Sequence, residues 1–254
     1  MSSASGGCIL AHNRDPLPTA KRERRAPLKE LYRRCRARGF RPAHVAEVGV
    51  YLPETSNVGD FARAGTRTTL VEAHPDYVAA VRTYFADFPN VELHPVAVAD
   101  APGELRLVTR GPSTFAEDVA APPSVVNDAY ERAEEDVITV PARRFDEIDD
   151  GTIDLLSVDI EGSEWFVIKH MASRPAVISV ETHGKRYVNP YLAEIETWMR
   201  ERAYRVWYRD DSDTVYVKGP EIELTAADRA RMAAKSARLA LRRWVSKAKA
   251  AIRR

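Results

Sequence analysis

The segment IDLLSVDIEGSEWFVIKH, residues 153–170, can be built in few ways. Its apolar run Ile153, Leu155, Leu156, Val158 and Ile160 suits a strand covered on both faces of a parallel sheet. Gly162 opens a turn, and Ser163 is placed to cap the helix that follows. Asp159 and Glu161 then stand at the carboxyl end of a strand, where open α/β sheets bind their ligands. A plainer reading gives Glu161 and Glu164 only a favourable interaction with the helix dipole, and this segment alone leaves both readings open.

The rest of the chain repeats the same rhythm. Leu28, Leu31, Tyr32 and Cys35 recur at helical spacing, with Pro27 suited to a first helical position and Gly39 to a helix end. HVAEVGVY reads as a strand, a helix spans about Asn57 to Ala64, and TRTTLVEAHP is a second strand closing on Glu72. Pro75 to Phe85 reads as a helix, NVELHPVAV as a third strand, and ELRLV as a small added one. Strands separated by helices imply a parallel sheet with right-handed crossovers. Residues 111–135 break the pattern with prolines and acid, which points to a lid or a substrate-facing insertion. VITVPARRFDEI then leads into the acidic strand, AVISVETHG supplies another, and Tyr191 to Arg202 a helix. YRVWYRDDSDTVYVKG has two β-rich arms around a polar turn, so the sheet should end on an antiparallel hairpin strand.

A chain of 254 residues can bury a substantial core, and its apolar runs are far short of the ~20 residues a membrane-spanning helix needs. The N-terminus lacks a charged-then-apolar signal pattern, so the expectation is a cytoplasmic protein. Cys8 and Cys35 make no metal-ligand spacing, and Cys35 belongs to a core stripe. The net charge of +1 hides segregation: residues 1–44 carry net +8, residues 221–254 net +7, and the body between them −14. Residues 1–25 read as a disordered basic lead-in, 26–220 as the α/β domain, and 221–254 as a basic amphipathic helix. Leu241, Trp244, Val245 and Ile252 are that helix's sizeable anchors. It suits docking on the body or a second subunit. Weak electrostatic contact with an anionic membrane at its inner face is the other use, and no motif for specific nucleic-acid recognition accompanies the charge.

The first strand decides between ligand classes. A dinucleotide fold shows G-x-G-x-x-G after it, whereas this chain has Glu47-Val48-Gly49-Val50-Tyr51-Leu52-Pro53-Glu54-Thr55-Ser56-Asn57. One glycine with bulky Tyr51 and Leu52 and acidic Glu54 makes a poor pyrophosphate cradle. Glu47 before Gly49, and Glu72 at the next strand end, suit a nucleoside with a cationic arm: one carboxylate near an ammonium, one on ribose hydroxyls.

The succession VAEVGVY, LVEAHPDYV, VELHPVAVADAPGELRL, VPARRFDEI, IDLLSVDIEGSEWFVIKHM and VISVETH resembles the FkbM family of S-adenosylmethionine-dependent methyltransferases over roughly residues 44–218. The resemblance implies a Rossmann-like class I methyltransferase fold: a mostly parallel seven-stranded sheet with an antiparallel last strand and helices on both faces. It implies S-adenosyl-L-methionine as cofactor, held by Glu47, Gly49 and Glu72 with the adenine near Ala97 and Val98. It also implies O-methylation of a small-molecule or glycan acceptor. The family's first loop usually carries a second glycine, which is missing here; Asn57 stands where it could replace the polar group. A non-catalytic binding or scaffold protein on the same fold is the alternative.

An alcohol acceptor needs its proton removed. Asp159, Glu161 and His183 are the candidates for that task, with Glu181 able to orient the His183 imidazole. Asp159, Glu161, Glu181 and His183 could also converge on magnesium, calcium or manganese, but no spacing motif requires a metal, and transfer without one is the expectation. The oligomeric state is left open.

Overall fold

The computed structural model describes residues 27–119, 122–128, 130 and 136–238. The basic lead-in and the helix anchors from Leu241 onward lie outside the described residues.

A short helix α1 (Glu30–Ala37) precedes strand β1 (His44–Val48), helix α2 (Gly59–Arg63), strand β2 (Arg67–Val71), helix α3 (Pro75–Tyr84) and strand β3 (Val91–His94). Pro27 lies ahead of α1 rather than at its first position. The chain then builds β4 (Ala97–Val98), β5 (Gly103–Val108), β6 (Phe115–Ala116), a short helix α4 (Pro123–Asp128) and β7 (Val137–Arg143). It returns through β8 (Leu155–Val158), α5 (Glu164–Lys169), β9 (Val177–Glu181), α6 (Leu192–Glu201), β10 (Arg205–Arg209) and β11 (Asp213–Val217), and residues 226–238 form α7.

Seven strands form one sheet in the order β10-β11-β9-β8-β1-β2-β3. All pairings are parallel except those of β11, which runs against both β9 and β10. The β10–β11 hairpin expected from the sequence is present. Its second arm does not extend the edge, however: it inserts between β9 and β10, so β11, the last strand among the described residues, is internal to the sheet. A second sheet, β4-β7-β5-β6, takes up the segments after β3. β7 therefore pairs in this small sheet, antiparallel to β5, before the chain re-enters the large one.

Both faces of the large sheet are covered, which is why its central strands are apolar at successive positions. In β1, β8 and β9 consecutive side chains point to opposite faces. Val45, Leu155 and Val177 pack with Cys35 of α1, Phe61 of α2 and Val81 of α3. Ala46, Leu156 and Ile178 pack with Val167 and Ile168 of α5 and Ile195 and Met199 of α6.

The start of the basic C-terminal segment folds back on the body. Thr225 and Asp228 exchange hydrogen bonds at the N-terminus of α7, with Asp228 N donating to Thr225 Oγ1 at 3.1 Å and Thr225 N to Asp228 Oδ2 at 2.9 Å. Asp228 also pairs with Arg38 at the end of α1, and Lys235 with Asp211 in the β10–β11 turn. No helix among the described residues is long and apolar enough to cross a membrane.

Candidate active site

The carboxyl ends of β1, β2 and β8 open into a cavity of about 410 Å³, closed on its far side by β4, β5 and β6. Gly49 is what allows the sheet to open there. Its φ is +86°, and a Cβ would stand 1.8 Å from the carbonyl oxygen of Asp159. The turn after β1 and the end of β8 thus approach as closely as backbones can, and only glycine fits. Glu47, Gly49, Asn57, Glu72, Ala97 and Val98, the residues assigned to a cofactor from the sequence, all line this cavity.

The atypical loop 50–57 is held at both ends by buried carboxylates. Glu72 Oε2 accepts from Val50 N at 3.1 Å and Tyr51 N at 2.8 Å, while Oε1 accepts from Ala73 N at 2.9 Å and His74 N at 2.8 Å. At the other end Glu47 accepts the Ser56 hydroxyl and the Asn57 amide, the latter at 2.7 Å. Asn57 Nδ2 donates to Ser157 Oγ at 3.1 Å. The loop lacks a second glycine, yet its order is secured by these two glutamates. Burial raises Glu47 to about 7, against the hydrogen bonds from Ser56 and Asn57 that favour its ionised form.

The acidic turn divides its labour. Ser163 occupies the N-cap position of α5 but makes no side-chain cap bond. The cap expected there is replaced by Glu164, fully buried, whose Oε1 accepts from Ile160 N at 2.9 Å and Gly162 N at 3.1 Å and whose Oε2 accepts from Asn189 Nδ2. Glu164 therefore holds the turn's shape. That leaves Asp159 and Glu161 to line the cavity, Glu161 from a left-handed backbone at φ +56°. Strain of this kind costs on the order of 1–3 kcal/mol and gathers at functional sites.

Glu181 at the end of β9 completes an acidic cluster: one carboxylate oxygen each from Asp159, Glu161 and Glu181 lies within 4.8 Å of the other two. Burial, then repulsion among neighbouring carboxylates, raises Asp159 well above the usual carboxylate range and pushes Glu181 up to about 12. Asp213, directly opposite Glu181 across the β9–β11 pairing, is raised to about 6, chiefly by burial.

His183 is a correction. It is buried and absent from the cavity lining, and its ring faces the β10–β11 turn. Its Nε2 meets the Asp210 carbonyl at 3.2 Å, which only accepts, so that nitrogen carries the hydrogen. Nδ1 is left to accept from the Thr182 hydroxyl at 2.9 Å, and Thr182 is in turn hydrogen-bonded to Thr214. An imidazole engaged this way ties β9 to β11; it is not poised as an acceptor's base, and Glu181 does not orient it.

Sequence reasoning missed the aromatic wall and the acid from the last strand. Tyr51 and Tyr77, both in the lining, meet edge to face with ring centroids 4.6 Å apart. Thr114, Phe115 and Ala116 of the 111–135 insertion also line the cavity, as do Asp210, Ser212 and Asp213. Tyr51 carried a signal as a large residue where a glycine was expected. Asp213 carried none until β11 was known to lie beside β9.

The methyltransferase FkbM domain matches residues 43–206. No curated protein matches the chain in sequence. Among solved structures, monomeric WbdD is similar at 12% identity and a TM-score of 0.41, over 74% of this chain and 39% of WbdD, so that the chain spans less than two fifths of its length. A putative RNA methyltransferase from Pyrococcus horikoshii is similar at 10% identity and a TM-score of 0.43, over 76% of this chain and 82% of that one. An O-methyltransferase from Bacillus cereus, solved in complex with SAH, is similar at 15% identity and a TM-score of 0.35, over 74% of this chain and 79% of that one. The stretch matched by the domain runs from just before β1 into β10 and takes in every described lining residue of the cavity except Asp210, Ser212 and Asp213. A match of that extent places the chain in the methyltransferase FkbM domain family.

Proposed function

We propose that the chain is an O-methyltransferase whose acceptor is a hydroxyl group of a carbohydrate, a glycan or a glycosylated natural product. One observation supports this reading: the cavity beside Gly49 runs without a break to Asp159 and Glu161, and no lysine, arginine or histidine is among its described lining residues. Its cofactor half fits S-adenosylmethionine in kind. The Gly49 turn has no room for a side chain, Glu47 and Glu72 present buried carboxylates, and Ala97 and Val98 supply an apolar wall.

When bound, the cofactor supplies an electrophilic methyl on a sulfonium. Glu47 is assigned to its ammonium. Glu72 is assigned to the ribose hydroxyls, for which it must exchange one of the four amide bonds it now accepts. A wall of carboxylates favours this cation and disfavours phosphates. At the acceptor end, Asp159 and Glu161 would accept hydrogen bonds from hydroxyls and align one oxygen with the methyl; Asp159 would take that oxygen's proton as the oxygen–methyl bond forms and the methyl–sulfur bond breaks, leaving neutral S-adenosylhomocysteine. Alignment of this kind recovers about 7–11 kcal/mol of the barrier, and the base adds roughly 10²–10⁴-fold. An amine would be held here as its ammonium, with no lone pair to attack, so the acid cluster favours alcohols.

The test is incubation of the full chain with trideuteromethyl-labelled cofactor and a panel of glycosides, locating the label by NMR. The expected product carries the label on oxygen. Label on nitrogen or carbon contradicts the acceptor class, and a folded chain that binds no S-adenosylhomocysteine supports the binding-protein alternative instead.

A further inference from the structure

We propose that Asp159, Glu161 and Glu181 form a divalent-cation site, for magnesium, manganese or calcium, at the acceptor end of the cavity. The mutual spacing of their carboxylate oxygens, all within 4.8 Å, is that of ligands around one hard cation. Opposed oxygens stand about 4.2 Å apart around magnesium and about 4.6–5.2 Å apart around calcium. Three acids in proximity would mean little without a second observation, and Glu181 provides it. It is 7% exposed, and its Oε2 is buried with no hydrogen-bond partner among the described residues.

The neighbouring buried carboxylates show how unusual this is. Glu72 accepts four backbone amides. Glu164 accepts two amides and the Asn189 side chain. Asp213 accepts the hydroxyls of Ser179 at 2.9 Å and Ser212 at 2.8 Å. Glu181 instead faces carboxylates: Asp159 and Glu161 within the cluster, and Asp213 opposite it in strand register. Burying a carboxylate without a partner is among the most expensive things a fold can do. A dication supplies both the missing charge and a seat for the orphaned oxygen. The all-oxygen donor set selects hard cations over zinc or copper, and His183, the imidazole that would broaden the choice, is bound elsewhere.

The role of the ion rests on the O-methyltransferase reading. An ion bound by three protein oxygens keeps further coordination positions, and two adjacent hydroxyls fill them well. A bound cation also lowers the pKa of an oxygen it coordinates. The acceptor class therefore narrows to a sugar with a vicinal diol, one of whose oxygens bonds to the methyl as the methyl–sulfur bond breaks and neutral S-adenosylhomocysteine leaves, while the second oxygen of a cluster carboxylate takes the hydroxyl proton.

Manganese binding to the metal-stripped full chain, followed by loss of the free-ion electron paramagnetic resonance signal, tests the site without any turnover. We expect one manganese per chain, displaced by magnesium or calcium, and binding at least about tenfold weaker in Glu181→Gln and in Asp159→Asn. Far-UV circular dichroism establishes that each variant is folded; Asp159, the more accessible of the two, carries the comparison if Glu181→Gln fails to fold. No binding at millimolar manganese, or equal binding by wild type and both variants, overturns the site. If manganese binds and chelation leaves methyl transfer unchanged, the ion's role falls. If manganese binds and no hydroxyl is ever methylated, the O-methyltransferase reading falls and the site stands.

Discussion

Glu47 should make the stability of this protein depend on pH in a way that one substitution removes. The side chain is 3% exposed and its pKa is raised to about 7, whereas an unfolded glutamate titrates at 4.5. Between these values the folded protein holds a proton that the unfolded chain releases, so folding is favoured by acid: the contribution is full below 4.5 and lost as pH rises through about 7. The linkage relation gives a difference of about 2 kcal/mol between pH 5.5 and pH 8 from this residue alone. Glu47→Gln keeps the shape and the hydrogen bonds, since its oxygen can accept from Asn57 N and its amide can donate to the Ser56 hydroxyl, reversing that bond. Asp159, Glu181 and Asp213 are shifted in the same direction, so the readout is the difference between the two proteins rather than the slope of either. Urea unfolding of wild type and Glu47→Gln at both pH values measures it. We expect the wild type to gain about 2 kcal/mol more than the variant on acidification. Parallel pH profiles would show that Glu47 is ionised in the folded protein and that the reasoning from burial is wrong.

The same carboxylate links to the cofactor: with the ammonium against Glu47, S-adenosylhomocysteine should bind roughly eightfold more tightly at pH 7.5 than at pH 6 in the wild type, and Glu47→Gln should flatten that dependence in calorimetry. Glu72→Ala strips the acceptor from four backbone amides and should cost about 3 kcal/mol or more of stability, seen as a lower urea midpoint, because the β1–α2 loop loses its anchor. Glu164→Ala should lower the thermal midpoint by roughly 6–12 °C, the equivalent of about 3 kcal/mol in a chain of this size, whereas Glu161→Gln should leave the midpoint nearly unchanged and reduce methyl transfer. Equal thermal losses in those two variants would mean that Glu161, like Glu164, only shapes the turn.

Much of this architecture is legible in the residues because central strands covered on both faces advertise themselves. Val45-Ala46, Leu155-Leu156 and Val177-Ile178 are apolar at successive positions, and the first two runs lead to Gly49 and Asp159 at the cavity. The glutamates of β1 and β2 and the Asp159–Glu161 turn were therefore readable as a site. What the chain does not disclose is pairing over long distance. Nothing local says that β11 slides between β9 and β10, and it is that insertion which sets Asp213 against Glu181 and turns the Asp210 carbonyl toward His183. The histidine after β9 looked like a base because it follows the carboxyl end of a strand and an imidazole titrates near neutrality, but its neighbours in space are Thr182 and the β10–β11 turn. Ser163 misled in the same way: a hydroxyl at the N-cap is a sound local signal, and Glu164 overrode it by reaching back to two amides from a fully buried position.

Calorimetric titration of the full chain with S-adenosylhomocysteine tests directly whether the cavity beside Gly49 is the cofactor site. Wild type should show one saturable site per chain. Gly49→Ala, whose added Cβ would fall 1.8 Å from the Asp159 carbonyl oxygen and force the loop away from β8, should bind at least about tenfold more weakly while remaining folded by circular dichroism. A folded wild-type chain that takes up no S-adenosylhomocysteine, or a folded Gly49→Ala variant that binds it as tightly as the wild type, would contradict the claim.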